Sequence, residues 1–276
     1  RRRRAARWSD AAPEAGQVDE PRRRILFVGD SLVSGVGCAG DAGPAMPRAL
    51  ARAMAEARNA EVAWSAVGLT GGDVRTLHRE LLPLVREEVA LARRDGETVE
   101  MVVVLCGVND WKRVLHLRTA GMFRQDLADL VAAIRREVGA DARIVLPALP
   151  GVDHAPRFAE PLRTCFSYLS AVWDREKETL AKGFKQVEFV ATPSHWTWEG
   201  GAKAYFSKID GVHPSDFGYR RWAEYLAEAL QRPTPPPPLP KPNPPPHTHD
   251  PNNTHIRRLF EEFSLSGAPQ PSGPPV

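Results

Sequence analysis

The sequence is short of cysteine, of charge of one sign and of long apolar runs, and each shortage removes a class of protein. Its three cysteines, Cys38, Cys106 and Cys165, are odd in number and scattered. That usage argues against a disulfide framework and against a zinc site, and points to a reducing, cytoplasmic setting. Net charge is only +3, with 37 basic and 34 acidic residues interspersed along the chain. A nucleic-acid binder gathers its basic excess on one surface. Here the basic runs, "RRRRAAR" and "PRRR", are confined to the opening residues and read as a solvated tail, so no nucleic-acid partner is expected. No stretch reaches the roughly 20 apolar residues of a membrane span, so no stable membrane insertion is expected. No apolar leader core stands near the start, and no repeat recurs at a solenoid period.

Apolar residues are nonetheless 42% of the 276, enough for a sizeable core. Residues 1–21 are charged, Ala-rich and aperiodic and read as disordered. From 22 to 232 short apolar runs alternate with segments of helical period. The runs are "RILFVG" (24–29), "EVAWSAVG" (61–68), "VEMVVVLCG" (99–107), "ARIVLPAL" (142–149) and "QVEFVATP" (186–193). Nearly continuous, β-branched runs of this length are strands buried on both faces, as in parallel sheets. Between them, "MPRALARAMAEARN" carries Pro47 near its first turn, and "TAGMFRQDLADLVAAIRREVG" stops at Gly139. "PSDFGYRRWAEYLAEALQ" starts on Ser215 as N-cap. The alternation predicts a single three-layer α/β/α sandwich around a five-stranded, mostly parallel sheet of flavodoxin-like order.

Beyond 232 the composition changes. Pro233–Pro246 is an extended proline-rich linker and a candidate ligand for a WW- or SH3-type partner. Within the remaining tail, to residue 276, Ile256, Leu259, Phe260 and Phe263 share one face of a candidate short helix. His247, His249 and His255 lie among these prolines and are not expected to hold a metal.

The chemistry turns on "ILFVGDSLVSGVGCAG", residues 25–40. Gly35, Gly37 and Gly40 match the G-x-G-x-x-G of a dinucleotide loop. That loop needs its first glycine directly after the strand and a helix running on from its third. Here the strand ends at Gly29, Pro44 and Pro47 follow, and the second strand ends without an acid for a ribose. The rival reading makes Ser31 a nucleophile at a strand end, where open α/β sheets bind ligands. A serine nucleophile needs a base, an acid to orient that base, and donors for an oxyanion. Candidates stand on the same predicted edge: Gly68 after the second strand, Asn109 after the third, and Asp210 with His213 in the loop before the last helix.

"GDSL" at 29–32, Gly68, "GVND" at 107–110 and "DGVH" at 210–213 resemble, in order, the four blocks of the SGNH or GDSL hydrolase superfamily. The resemblance implies that Ser31 attacks an acyl carbonyl, His213 moves the proton and Asp210 orients His213. It also implies an oxyanion hole of the Ser31 amide, the Gly68 amide and the Asn109 side chain. No metal or cofactor is implied. The expected activity is hydrolysis of a small-molecule carboxylic ester or thioester through an acyl-serine intermediate. An acyltransferase on the same site, or an interaction protein working through its proline-rich tail, are the alternatives. Asp30 belongs to the motif without a catalytic step, and Asp110 is a candidate to orient the turn at 107–110. Trp196, Trp198, Tyr205 and Phe206 are candidate lining for an acyl or alcohol pocket.

Overall fold

The computed structural model describes residues 5–10, 22–39, 43–113, 117–151, 154–192 and 201–232. Contacts divide the chain into Arg1–Pro233 and Thr234–Val276, and every described residue lies in the first unit. The expectations for the proline-rich tail therefore lie outside the described residues.

Six strands form one sheet in the order β1-β3-β2-β4-β5-β6. They are β1 (Ala6–Ser9), β2 (Arg23–Gly29), β3 (Val62–Gly68), β4 (Thr98–Leu105), β5 (Arg143–Pro147) and β6 (Val187–Val190). All pairings are parallel except β1 with β3. The five expected strands take the expected order. The sixth, β1, is a correction to the reading of residues 1–21 as disordered throughout. Four residues, Ala-Arg-Trp-Ser, are too few to show a period. What holds them is tertiary: the open edge of β3, and Arg7, whose guanidinium pairs with Glu87 at 2.8 Å and Glu88 at 2.5 Å.

The helices are α1 (Ala45–Arg58), α2 (Val74–Arg94), α3 (Val108–Trp111), α4 (Ala120–Val138), α5 (Leu162–Gly183), α6 (Ala202–Tyr205) and α7 (Asp216–Gln231). Strand side chains alternate between the sheet's faces, so β2 and β4 feed both cores. Leu26, Val28, Val102 and Val104 pack with residues of α2, α4 and α5. Ile25, Phe27, Met101 and Val103 pack with residues of α1 and α7. Asp73, Thr119 and Ser215 cap α2, α4 and α7, each accepting a hydrogen bond from an otherwise orphaned amide of the first turn.

Crossing from β3 to β4 moves the chain from one side of β2 to the other. The C-terminal ends of β2 and β4 thus flank the point where strand order reverses, the crevice where open α/β sheets hold ligands.

Candidate active site

β2 ends at Gly29, and the chain tightens at once into a helical turn. Val33 N–H and Ser34 N–H both donate to Asp30 O, and Val36 N–H donates to Ser31 O, each at 3.1 Å. Asp30 Oδ1 accepts from Leu32 N–H at 3.1 Å. Ser31 is thereby fixed at the crevice, and its own N–H donates to no group among the described residues.

Across the crevice, His213 Nε2 lies 3.0 Å from Ser31 Oγ, and His213 Nδ1 lies 2.6 Å from Asp210 Oδ2. Asp210 Oδ1 accepts from the N–H groups of Val212 and His213 at 2.9 and 3.0 Å. Burial works to raise the Asp210 pKa, but those two amides and the imidazole outweigh it and hold the carboxyl below its usual value. Ser31, 182 residues away from His213, is thus brought into one hydrogen-bonded line with His213 and Asp210.

Two devices hold the His213 loop in place. Ser207 N–H donates to His213 O at 2.8 Å, and Ser215 N–H donates to Tyr205 O at 2.8 Å. Beneath them Tyr205 and Phe206 are buried in a cluster with Ala155, Phe158 and Phe217. Both, expected in a substrate pocket, thus pack beneath the His213 loop, with Tyr205 edge-on to Phe217 at 5.0 Å between ring centres. Trp196 and Trp198 lie outside the described residues.

The glycine string acts on the same loop. Gly37 sits at φ 99°, and a Cβ there would collide with Pro214 O and lie 2.9 Å from His213 Cβ. Tyr219 Oη donates to Val36 O at 2.9 Å, and Ala39 N–H donates to Asp216 Oδ2 at 2.7 Å. These residues are close-packed against the histidine loop and α7, which explains the glycines without a phosphate.

Asn109 reaches the crevice from the turn after β4. Its Nδ2 donates to Asp30 Oδ2 at 3.0 Å and to Gly72 O at 3.1 Å. Asp110 fixes that turn as expected: it is wholly buried, its Oδ1 bonds Arg118 at 2.6 Å, and its Oδ2 accepts from Val74 N–H at 3.1 Å.

Gly68 is the site residue the structure relocates. It is inside β3, opposite Ala6 of β1. Leu69 N–H donates to Gly29 O, so by strand alternation the Gly68 amide points the other way, toward β1. The turn that meets Asn109 is 69–72, closed by Gly72 N–H donating to Leu69 O at 2.9 Å, with Gly71 at φ 74°. Sequence reasoning chose the first glycine of "GLTGG". Its position right after the apolar run was the signal, and the turn geometry that favours Gly71 was not visible.

Asp30 was also missed. It is fully buried, and burial, reinforced by the charge of Asp110, pushes its pKa up to about 7 against the lowering effects of the Leu32 amide, Lys112 and Lys177. Among the described residues no group of three or more His, Cys, Asp or Glu side chains is arranged to hold a metal ion.

The chain matches the family described as GDSL-like lipase/acylhydrolase over residues 27–221. No curated protein matches it. Among solved structures, a lipase from a goat rumen metagenome is 22% identical with a TM-score of 0.55, covering 75% of this chain and 97% of its own. The lipase/acylhydrolase of Enterococcus faecalis is 20% identical with a TM-score of 0.52, covering 78% and 100%. An acetyl xylan esterase of Geobacillus stearothermophilus is 19% identical with a TM-score of 0.51, covering 79% and 99%. These three share the fold, and the family match covers well over half of the chain, most of both cores and every named residue of the crevice. The chain belongs to the GDSL-like lipase/acylhydrolase family of ester-hydrolysing enzymes.

Proposed function

We propose that the chain hydrolyses a carboxylic ester through an acyl-serine intermediate on Ser31. The observation that carries this reading is the line of hydrogen bonds from Ser31 Oγ through the His213 ring to Asp210, 3.0 and then 2.6 Å. As Oγ attacks the acyl carbon, His213 Nε2 takes the hydroxyl proton, and it then gives that proton to the departing alkoxide. Asp210, held ionised, keeps the other ring nitrogen as Nδ1–H and stabilises the imidazolium. In the second half-reaction His213 deprotonates a water that attacks the acyl-serine, and the acid leaves with Ser31 regenerated.

The oxyanion that forms in each half-reaction is stabilised by the Ser31 amide, the Asn109 side chain and the Gly71 amide. Asn109 has two N–H groups, one on Asp30 and one on Gly72 O. The bond to Asp30 fixes the planar amide and with it the direction of the second N–H, which Gly72 O and the oxyanion share. Each such donor is worth about 10²–10³ in turnover.

Hydrolysis of p-nitrophenyl esters, from acetate to long acyl chains, tests the reading. Wild type is expected to turn over at least part of the series and Ser31→Ala none of it. Activity that survives Ser31→Ala would overturn the assignment, and the chain-length optimum of the wild type defines the acyl group.

A further inference from the structure

We infer that the rim of the catalytic edge is a docking surface for an anionic lipid bilayer. The inference deepens the esterase reading by stating where the ester is met, and it rests on that reading for its biological sense.

Its first support is where the exposed large apolar residues stand. Seven are found among the described residues: Trp8, Leu117, Met122, Leu162, Tyr168, Phe184 and Ile209. Five of them lie on the catalytic edge. Leu117, 85% exposed, and Met122 are in the β4–α4 connection and the first turn of α4, the segment that starts with Asn109. Leu162 and Tyr168, the latter 70% exposed, are in the first two turns of α5. Ile209, 82% exposed, directly precedes Asp210. At the opposite edge, where the strands begin, only Phe184 is of this kind. Scattered apolar residues on a surface need no explanation, but concentration around one mouth does.

The α5 segment is contiguous with the site. Arg157 N–H donates to Gly211 O at 3.2 Å, and Phe166 stacks on Trp111, two residues from Asn109, at 4.8 Å between ring centres. Farther along, α5 buries Trp173, Lys177, Leu180 and Ala181. Its first two turns leave Leu162, Cys165 and Tyr168 exposed, an apolar helix end without cover among the described residues.

Charge is the second support, and it selects the partner. Lys112, Arg157, Lys203 and Lys208 stand exposed on this edge, and none makes an ion pair among the described residues. Of the described acids nearby, Asp73 is paired with Arg113 at 3.0 Å and Asp210 lies against His213, while Glu160, which accepts from Thr164, leaves the four cations in excess. Apolar side chains that enter the headgroup boundary, framed by unneutralised cations, fit a negatively charged leaflet. A neutral polymer or an uncharged soluble ester offers no counterpart for the cations.

The test is cosedimentation of the full chain with vesicles of phosphatidylcholine alone or mixed with phosphatidylserine. The mixed vesicles are expected to retain the protein and the neutral ones not. Lys112→Gln with Lys208→Gln is expected to weaken retention by roughly fivefold per cation removed. Leu162→Ser with Ile209→Ser, both on exposed positions, is expected to weaken it further. Equal behaviour on the two vesicle types, or retention unmoved by both double variants, would overturn the surface; the second result would move lipid binding to the arginine-rich start of the chain. Hydrolysis of p-nitrophenyl acetate read in parallel keeps the two claims apart. Vesicle retention without any hydrolysis leaves the surface standing and sinks the esterase reading, whereas hydrolysis without retention does the reverse.

Discussion

Asp30 precedes Ser31, the proposed nucleophile, and touches Asn109 on the other side of the crevice, so a single buried carboxylate joins two parts of the proposed site. Its role is positioning. With Oδ2 ionised it can only accept, which fixes the Asn109 amide with its NH₂ toward Asp30. Asp30→Asn leaves one acceptor where Leu32 N–H and Asn109 find two, so the hold on the proposed oxyanion donor is loosened. The expected outcome is a kcat lowered by about 10²-fold with KM little changed, read from steady-state kinetics on a soluble ester. The same substitution has an opposite effect on stability. The folded pKa of Asp30, about 7, is above its unfolded value of 3.8. Between those limits the folded state binds more protons than the unfolded one, so this group makes stability fall as pH rises from about 4 to about 7. The full cost, at most about 4 kcal/mol, is in place above that window. Asp30→Asn should therefore melt higher than wild type at pH 8 and show little advantage near pH 4. A melting difference that does not widen with pH would refute the assignment.

At the scale of elements, the loop from Gly29 to Ala39 and the loop from Ser207 to Pro214 are built against each other. Gly37→Ala forces a Cβ onto Pro214 O and His213 Cβ, and strains a φ of 99° that alanine rarely adopts. The His213 loop must yield, so kcat is expected to fall by roughly tenfold or more while far-UV circular dichroism is kept. Unaltered kinetics would mean that the loop shifts at no cost to the serine–histidine distance. This pair of loops also marks how far the sequence could be read. The strands and their order were legible because buried parallel strands leave dense apolar runs, and Ser31, Asn109, Asp210 and His213 were legible because each follows such a run or stands in a short polar block. Gly68 and Gly71 were not distinguishable: both are glycines near the end of β3, and only the turn and the hydrogen-bond alternation separate them. Tyr205 and Phe206 were open to two readings for a related reason, since aromatic residues near a site read the same whether they face substrate or hold up the loop. Asp30 was read as part of the motif, but its contact with Asn109 was not, because that partner is 79 residues away.

For the whole molecule, β1 is what closes the sheet's open edge. It covers the β3 backbone along four paired residues, and its Arg7 reaches across to α2 through Glu87 and Glu88. Just behind it Arg22 and Arg24 pair with Asp10 and Glu97. Deleting residues 1–10 removes none of the crevice. Ester turnover per folded molecule is expected to persist at low temperature, with a lower melting point and faster growth of light scattering from the bared β3 edge. An unchanged melting point would show that β1 adds no stability.

The antiparallel seam between β1 and β3 has a consequence for the order in which the molecule is made. Ala6 pairs with Gly68, so β1 leaves the ribosome about sixty residues ahead of the strand it pairs with. At roughly 5–20 residues per second, that interval is on the order of 3–12 seconds. β2 and β3 are adjacent in the sheet and can pair as soon as β3 emerges. β1 is then added to the edge of a pair that was made after it, and the sheet grows outward from β2 on both sides.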